Sequence, residues 1–276
     1  MSTNIKQEDF NQRSYFWFSV SVGVFVGLVF GFAISSIVST VRLHEARSHI
    51  DTRAATDMMK SQVERGRFGK APRFTDLIDQ NGAKVASTRF KGKVQIVSFI
   101  APYGVHSSPV LVSHLMNLYQ ELKQSGLLGS KVVFVSYNLD PTHAGPPEMS
   151  RFMQAIAGLG PADASNWAFL TGSESSIGAV VAGRYAVQYR PLDAAAYRAY
   201  ARRMQQRGQY DYAEAVNPLT QNAPPHPHIV DHDELVLVAP DGDIRVKIKQ
   251  ASAYPDDRIL QDIAAMLKLP GMGKPG

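Results

Sequence analysis

Two patterns of apolar positions divide the chain. Residues 14–41 form one run of 28 residues without a charge, whereas from residue 73 onward short apolar runs alternate with helically spaced apolar positions. A helix needs ~20 apolar residues to cross the hydrocarbon core of a bilayer, so the first run predicts a transmembrane helix in the lipid bilayer. The run ends in SSIVSTVRLHEARSH, which lacks the small-residue cleavage site of a secretory signal and therefore predicts an uncleaved anchor.

Small residues recur at every fourth position within the apolar run. They are Ser19, Gly23, Gly27, Gly31 and Ser35. On a helix they form one stripe that lets another backbone approach closely. We interpret the stripe as a helix–helix contact, either with a second copy of this chain as a homodimer or with another membrane subunit. The alternative is that Gly and Ser are simply common in membrane helices.

The residues that follow the apolar run predict a stalk. Apolar side chains recur at three- and four-residue steps over 43–58, and no Gly or Pro occurs between Gly31 and Gly66. We therefore divide the chain into a short N-terminal tail (1–13), a transmembrane helix (14–41), a juxtamembrane helical stalk (42–72), a globular domain (73–270) and a C-terminal tail (271–276).

Strand and helix patterns alternate within the globular domain. Continuous β-branched runs predict buried strands at 94–100 and 131–138, and a shorter strand follows at NWAFL. Helical patterns cover 107–126, 146–158, 173–187 and 256–268. The Asp-Gly turn between ELVLVA and IRVKIK predicts a hairpin. The order β-α-β-α-β-α-ββ-α is typical of an α/β sheet covered by helices.

Charge and cysteine content limit the possible functions. The net charge is +5, and +4 of it lies in residues 42–73, beside the apolar run, which favours attraction to anionic lipid. No module of basic and aromatic residues accompanies this charge, so we predict no nucleic-acid binding. The chain contains no cysteine, which excludes disulfides, iron–sulfur clusters and thiol nucleophiles.

Several sequence blocks, in order, resemble the SCO/SenC family of membrane-anchored, thioredoxin-fold proteins. The blocks are FTDLIDQNGAKVASTRFKGKVQIVSFIAP (74–102), VSYNLDP (135–141), FLTGSESSIGAVVAGRYAVQY (169–189) and VDHDELVLVAPDGDI (230–244). The resemblance extends from about residue 74 to residue 268. It implies an α/β, thioredoxin-like domain, and the N-terminal anchor agrees with it.

The resemblance also implies copper handling. Two thiolates in a C-x-x-x-C loop and one distant histidine bind copper in this family, which helps to assemble the dinuclear copper centre of cytochrome c oxidase. The two cysteine positions fall on Gly104 and Ser108, and the histidine position falls on His232. Neither glycine nor serine replaces a thiolate as a soft ligand for Cu(I). We therefore expect a degenerate member with no cofactor, no catalytic residue and no enzymatic activity.

A thiol-free metal site is the alternative. His106 lies in the same loop, and if it faces His232, two imidazole nitrogens converge on one point. His226 and His228 would have to fold back to join them. Imidazole binds Cu(II) or Zn(II) without sulfur, so the chain would then be a Cys-independent copper chaperone for oxidase assembly. The competing interpretation makes His232 a relic bonded to a neighbouring backbone group.

An insertion of about 40 residues (190–228) stands where the family has a much shorter link. Residues 190–208 predict a basic amphipathic helix, and NPLTQNAPPHPH predicts an irregular, extended segment. The candidates for interaction on this helix are Tyr197, Tyr200, Arg202 and Arg203. Such a helix suits a membrane surface or a groove on a partner. A solvated helix that caps its own domain is the alternative.

Together these features predict a binding protein rather than an enzyme. We expect an accessory subunit or an assembly scaffold of a respiratory membrane complex, with a haem–copper terminal oxidase as the partner. The resemblance places the C-terminal domain in the periplasm or the mitochondrial intermembrane space. Two Lys/Arg before the span and four within about 20 residues after it favour the cytoplasm instead. We follow the resemblance, because the difference in charge is small.

Overall fold

The computed structural model describes residues 63–104, 107–206, 217–230 and 233–268. The chain divides into Met1–Lys60 and Ser61–Gly276, and all described residues belong to the second unit. The predicted transmembrane helix and the first part of the stalk therefore lie outside the described residues. Within the described ranges, no helix combines the length and the apolarity that crossing a bilayer requires.

Within these described ranges, ten strands form two sheets. They are β1 (Val63–Arg65), β2 (Leu77–Asp79), β3 (Lys84–Val85), β4 (Val94–Ile100), β5 (Val132–Asn138), β6 (Trp167–Thr171), β7 (Arg190–Leu192), β8 (His228–Val230), β9 (Leu235–Val238) and β10 (Ile244–Ile248). Eight of them form a mixed sheet in the order β1-β10-β9-β4-β5-β6-β2-β3. Strands β4, β5 and β6 run parallel, and the other neighbours in this sheet are antiparallel. β7 and β8 form a separate antiparallel pair.

Helices cover both faces of the large sheet. They are α1 (Ser107–Gln124), α2 (Pro146–Ala157), α3 (Glu174–Gly178), which continues as a π-helical segment (Ala179–Tyr185), α4 (Ala194–Gln206) and α5 (Asp256–Leu267). On one face the ring of Tyr119 on α1 lies 5.7 Å from that of Phe134. On the other face Tyr185 lies 5.5 Å from Phe99. Because helices bury both faces of the central strands, these strands have continuous apolar sequences. The predicted α/β sheet covered by helices is confirmed.

The structure corrects the predicted end of the stalk. Val63–Arg65 do not continue a helix but pair with β10 as an edge strand. The guanidinium of Arg65 fixes this position, because it donates two hydrogen bonds of 2.9 Å to the carboxylate of Asp262 on α5 and one of 2.9 Å to the hydroxyl of Tyr254. A helix through these residues would lose both the strand pairing and this bidentate contact.

The structure contains two elements that the sequence analysis did not predict. The β2–β3 hairpin turns at Asn81-Gly82, where Gly82 has a φ of +77° and the carboxylate of Asp79 accepts the backbone N–H groups of Asn81 and Ala83 at 3.0 Å each. Asn-Gly is a strong hairpin signal, so the sequence does carry this information. The second feature is the β7–β8 pair, which joins the two ends of residues 190–230. We call these residues the β7–β8 excursion.

The helix predicted from residue 190 begins at Ala194, because Arg190–Leu192 are taken up by β7. The carboxylate of Asp193 accepts the backbone N–H groups of Ala195 and Ala196 at 2.9 and 2.8 Å. An N-cap of this kind satisfies donors that the first helical turn leaves free, and it sets the start of α4.

Candidate functional site

The loop between β4 and α1 brings Gly104 and Ser108 together. The backbone N–H of Gly104 donates to the carbonyl of Ala101 at 2.8 Å and closes a tight turn. Ser108 lies in the first turn of α1 and is buried. A Cβ atom placed on Gly104 would lie 3.2 Å from the Cβ of Ser108. Disulfide-bonded cysteines have Cβ atoms about 3.5–4.5 Å apart, so these two positions have the proximity of a thiol pair without its sulfurs.

The turn at Gly104 has no room for a side chain. The same Cβ atom would lie 2.9 Å from the carbonyl oxygen of Ala101, which is backbone and cannot rotate away. A residue with a side chain at this position therefore requires the turn to open. Glycine fits the loop as it is folded here.

The Ser108 hydroxyl has a structural role. Its Oγ accepts the backbone N–H of Ala101 at 2.9 Å, in an environment where the residue is 1% exposed. A buried N–H without a partner costs about 1–3 kcal/mol, so this hydrogen bond stabilises the loop. It also occupies an acceptor lone pair of the only side-chain oxygen that the two cysteine positions provide.

Asn217 closes the loop from the β7–β8 excursion. Its Nδ2 donates to the carbonyl oxygens of Pro102 at 2.8 Å and of Gly104 at 2.7 Å. Its Oδ1 accepts the backbone N–H of Leu219 at 3.1 Å and caps a short 3-10 turn, Pro218–Asn222. Asn217 is 3% exposed. One buried amide therefore ties the excursion to the loop.

Two contacts between aromatic rings add to this link. The ring of Tyr103, in the same loop, lies 4.6 Å from that of His226, and the ring of His228 lies 4.1 Å from that of Tyr197 on α4. Burial, followed by the nearby charge of Glu148, raises the pKa of the Tyr103 phenol. The Nδ1 of His226 lies 2.8 Å from the carbonyl oxygen of Pro224. Because a carbonyl only accepts, Nδ1 carries the proton in this contact.

A carboxylate–imidazole pair lies at the end of the neighbouring strand. Asp140 is buried, and its Oδ1 lies 2.6 Å from the Nδ1 of His143. The Asn138 side chain accepts the backbone N–H of Asp140 at 2.9 Å and holds this carboxylate in place. His143 lines two clefts beside the excursion, of about 580 and about 370 Å³. The larger cleft also contacts Tyr103.

The predicted metal ligands His106 and His232 lie outside the described residues. Across the ranges the structure describes, no three His, Asp or Glu side chains converge closely enough to hold a metal ion. His226 and His228 have ring centroids 5.9 Å apart; His228 stacks on Tyr197, and the ring of His226 contacts that of Tyr103 at a tilt of 31°. The structure thus brings together Gly104 and Ser108, and it packs His226 against the same loop.

The predicted interaction residues differ in whether the structure describes them and in how exposed their side chains are. The five small residues of the apolar run lie outside the described residues. On α4, Tyr197 is buried at 8% exposure and Tyr200 is half-buried, whereas Arg202 and Arg203 are exposed. Sequence reasoning did not identify Asn217, Tyr103 or His143 as site residues. The pair Asn217-Pro218 could have indicated this site, because asparagine is a common N-cap residue and proline is common in the first turn that follows it.

The domain is a thioredoxin-like α/β fold. It has a mixed sheet with helices on both faces, and a loop leads from its central strand β4 into α1. Its two thiol positions carry no thiol. The sequence profile of the SCO1/SenC family matches residues 63–268, and this chain belongs to that family. The absence of cysteine from the whole chain confirms that it is a degenerate member, without the C-x-x-x-C cysteines.

Solved structures agree with this fold. A SCO1/SenC family lipoprotein from Bacillus anthracis is 18% identical, with 72% of this chain and 95% of that chain covered and a TM-score of 0.53. Arabidopsis thaliana ScoI with copper bound is 16% identical, with 72% and 99% covered and a TM-score of 0.51. At these identities the likeness concerns the fold alone. A search of curated protein sequences finds no significant match.

Copper does not fit the two thiol positions of this chain. Gly104 offers no side chain, and the Ser108 hydroxyl is a hard, neutral ligand that already accepts a backbone N–H. Soft thiolates are what hold Cu(I) in such a loop. The residues present here therefore support no copper chemistry through Gly104 and Ser108.

Proposed function

We propose that this chain is a non-catalytic, membrane-anchored SCO/SenC protein that acts by binding a respiratory membrane complex. It serves as an accessory subunit or an assembly scaffold, and its partner is a haem–copper oxidase. Residues 14–41 anchor it in the bilayer. The globular domain faces the periplasm or the mitochondrial intermembrane space, as the family resemblance implies.

The observation that carries the proposal is the closed loop between β4 and α1. A loop that binds metal or exchanges electrons must present its ligand atoms to an incoming partner. In this chain the Ser108 hydroxyl accepts the N–H of Ala101, and the Asn217 amide engages the carbonyls of Pro102 and Gly104. These hydrogen bonds engage the Ser108 hydroxyl and two carbonyls of the described part of the loop, which supports a role in packing rather than as a reactive centre.

The rest of the domain keeps its fold without that chemistry. The strands and helices that surround the loop are well packed, with Phe99, Tyr137 and Tyr185 in mutual ring contact below it. A domain that is retained while its ligands are lost is suited to a role that depends on its surfaces. The small-residue stripe of the apolar run offers a contact within the membrane.

Copurification tests the proposal. The full chain carries a C-terminal tag, the membranes are solubilised in a mild detergent, and the bound proteins are identified by mass spectrometry. We expect oxidase subunits in fixed proportion to the tagged chain. Recovery of the tagged chain without any oxidase subunit would overturn the proposed function.

A matched pair of variants tests the contact within the membrane. Gly23→Leu with Gly27→Leu fills the stripe, whereas Phe25→Leu with Val29→Leu changes the opposite side of the same helix. We expect the first pair to lower the recovery of oxidase and the second pair to leave it unchanged.

A reporter that is active only in the cytoplasm tests the orientation. Fused after Gly276, it should be inactive; an active reporter would contradict the proposed orientation.

A further inference from the structure

The surface of α4 and of the strand before it carries arginines that have no acidic partner in the part of the chain that the structure describes. Arg190, Arg198, Arg202 and Arg203 are all exposed, and among the described residues none of them forms a salt bridge. The Nε of Arg202 donates only to a backbone carbonyl, that of Arg198, at 3.3 Å. Four other arginines of the described domain are paired with carboxylates: Arg65 with Asp262, Arg89 with Asp79, Arg151 with Glu148, and Arg245 with Asp241 and Asp243.

The one acidic residue in this segment is used for another purpose. Four arginines stand against Asp193 between residues 190 and 206. The carboxylate of Asp193 caps α4 by accepting the N–H groups of Ala195 and Ala196. It is therefore held at the N-terminus of the helix, and the positive charge further along α4 stays uncompensated by its own segment.

The arginine-bearing helix is fixed in place before any partner arrives. Tyr197 points inward and stacks on His228 with an interplanar angle of 12°. Leu192 of β7 is paired in register with the same His228 of β8. Because α4 is capped and stacked and the strand before it is paired, the helix that carries the arginines is held in place. A preorganised surface loses less conformational entropy when it binds.

An apolar cleft of about 370 Å³ lies beside the N-terminal end of α4. Its apolar lining is contributed by the excursion: Pro191, Leu192, Ala194, Pro225 and Pro227. Its polar lining consists of His143, His226 and the capping Asp193. An apolar recess at one end of a helix that carries exposed arginines matches the composition of a protein interface, which has an apolar centre and a polar rim.

We propose that α4 and the cleft beside Leu192, within the β7–β8 excursion, dock an acidic protein segment of the partner complex. Carboxylates of that segment bind Arg198, Arg202 and Arg203, and one of its apolar side chains enters the cleft beside Leu192. Arginine suits this task, because its guanidinium pairs with a carboxylate through two parallel hydrogen bonds. The inference rests on the proposed function and adds to it the docking surface and the chemistry of the partner.

Anionic lipid is the other source of negative charge, and the exposed residues of α4 argue against it. Among the described side chains of α4, the apolar residues that are fully exposed are alanines, namely Ala194, Ala195, Ala196 and Ala199, and Tyr200 is half-buried. A helix that lies in a membrane surface inserts large apolar side chains on one face. The apolar recess of this surface is instead a cleft that accepts a side chain.

Charge reversal tests the docking surface in the full-length, tagged chain. Arg198→Glu, Arg202→Glu and Arg203→Glu are combined in one variant. The control variant combines Lys84→Glu, Arg184→Glu and Arg258→Glu, which are exposed and lack a carboxylate partner among the described residues. We expect about tenfold less oxidase with the first variant and no change with the control, at equal thermal stability.

The copurification result separates the docking surface from the proposed function. If the wild-type chain recovers oxidase and both triple variants recover it equally, the docking surface is wrong and the proposed function stands. If the wild-type chain recovers no oxidase, the proposed function itself is wrong.

A photo-cross-linking residue in place of Ala199 identifies what covers the surface. We expect a cross-link to an oxidase segment rich in Asp and Glu. Reversing the charges of that segment should restore binding to the variant with three glutamates. Cross-linking to phospholipid alone, or to a protein segment without acidic residues, would overturn the inference.

Discussion

Asn217 and Gly104, which are 113 positions apart in the chain, are joined by a hydrogen bond of 2.7 Å from the side-chain amide to the backbone carbonyl. The same amide donates to the carbonyl of Pro102. Both carbonyls belong to the loop that holds the two cysteine positions of the family. The β7–β8 excursion thus provides the group that closes this loop, and the first prediction concerns that group.

Replacing Asn217 with alanine should destabilise the domain by about 1–3 kcal/mol, because it leaves buried carbonyl groups without a donor. The matched control is Asn81→Ala, since the Nδ2 of Asn81 donates to the carbonyl of Pro161 in an exposed position. The measurement is unfolding of the full chain followed by near-UV circular dichroism. Equal losses of stability for the two variants would contradict the structural role of Asn217.

The hydroxyl of Ser108 provides a second test. Ser108→Ala removes the acceptor of the Ala101 N–H and should cost about 1–3 kcal/mol in the free energy of unfolding. Ser130→Ala is the control, because the Ser130 hydroxyl donates to the carbonyls of Gly126 and Leu127 at an exposed position. If Ser108→Ala unfolds at the same temperature as the wild type, the hydroxyl does not stabilise the loop.

Restoring both cysteines should bring back thiol proximity at the expense of stability. In Gly104→Cys with Ser108→Cys the two Cβ atoms start 3.2 Å apart, so mild oxidation should form an intramolecular disulfide. In the reduced state the double variant should be less stable than Ser108→Cys alone, by about 1–3 kcal/mol, because the new Cβ crowds the carbonyl of Ala101.

Mass spectrometry after alkylation counts the free thiols of that variant, and thermal unfolding compares the reduced proteins. Two free thiols after oxidation would show that the positions are not adjacent. A reduced double variant as stable as Ser108→Cys would show that the turn tolerates a side chain.

Two buried phenols predict how stability responds to alkaline pH. Burial raises the pKa of Tyr137 and of Tyr185. The folded chain therefore keeps protons that the unfolded chain releases above its ordinary tyrosine pKa of about 10. The stabilisation is complete below that pH and is lost as the pH rises through the raised values, by up to about 1.4 kcal/mol per pH unit for each phenol.

Denaturant unfolding at a series of pH values from neutral to alkaline measures this slope. Replacing both tyrosines with phenylalanine should flatten this slope above pH 10. At neutral pH the stability of the double variant should stay close to that of the wild type. A slope that is the same with and without the two phenols would refute the assignment.

Local patterns in the sequence predicted the core of the fold. The continuous β-branched runs gave β4 and β5, because central parallel strands are buried on both faces. The resemblance predicted the proximity of Gly104 and Ser108. No such pattern predicted the contact of Asn217 with Gly104, because a hydrogen bond between distant parts of the chain produces no periodicity in the sequence.

The excursion shows the same limit. Helical spacing predicted a helix over residues 190–208, but the pairing of Arg190–Leu192 with His228–Val230 depends on two short segments that meet only in the folded chain. The inward orientation of Tyr197 also depends on that meeting, because its ring stacks on His228 of the second segment. The exposed arginines remain on the surface of α4.

The central claim is that this chain acts by binding and that it does so without copper. The most direct measurement is the amount of oxidase recovered with the tagged full-length chain, compared between the wild type and His232→Ala. The account predicts equal recovery, because the one remaining ligand position of the family does not carry the function. Oxidase recovery that depends on His232, accompanied by copper in the wild-type protein alone, would contradict it.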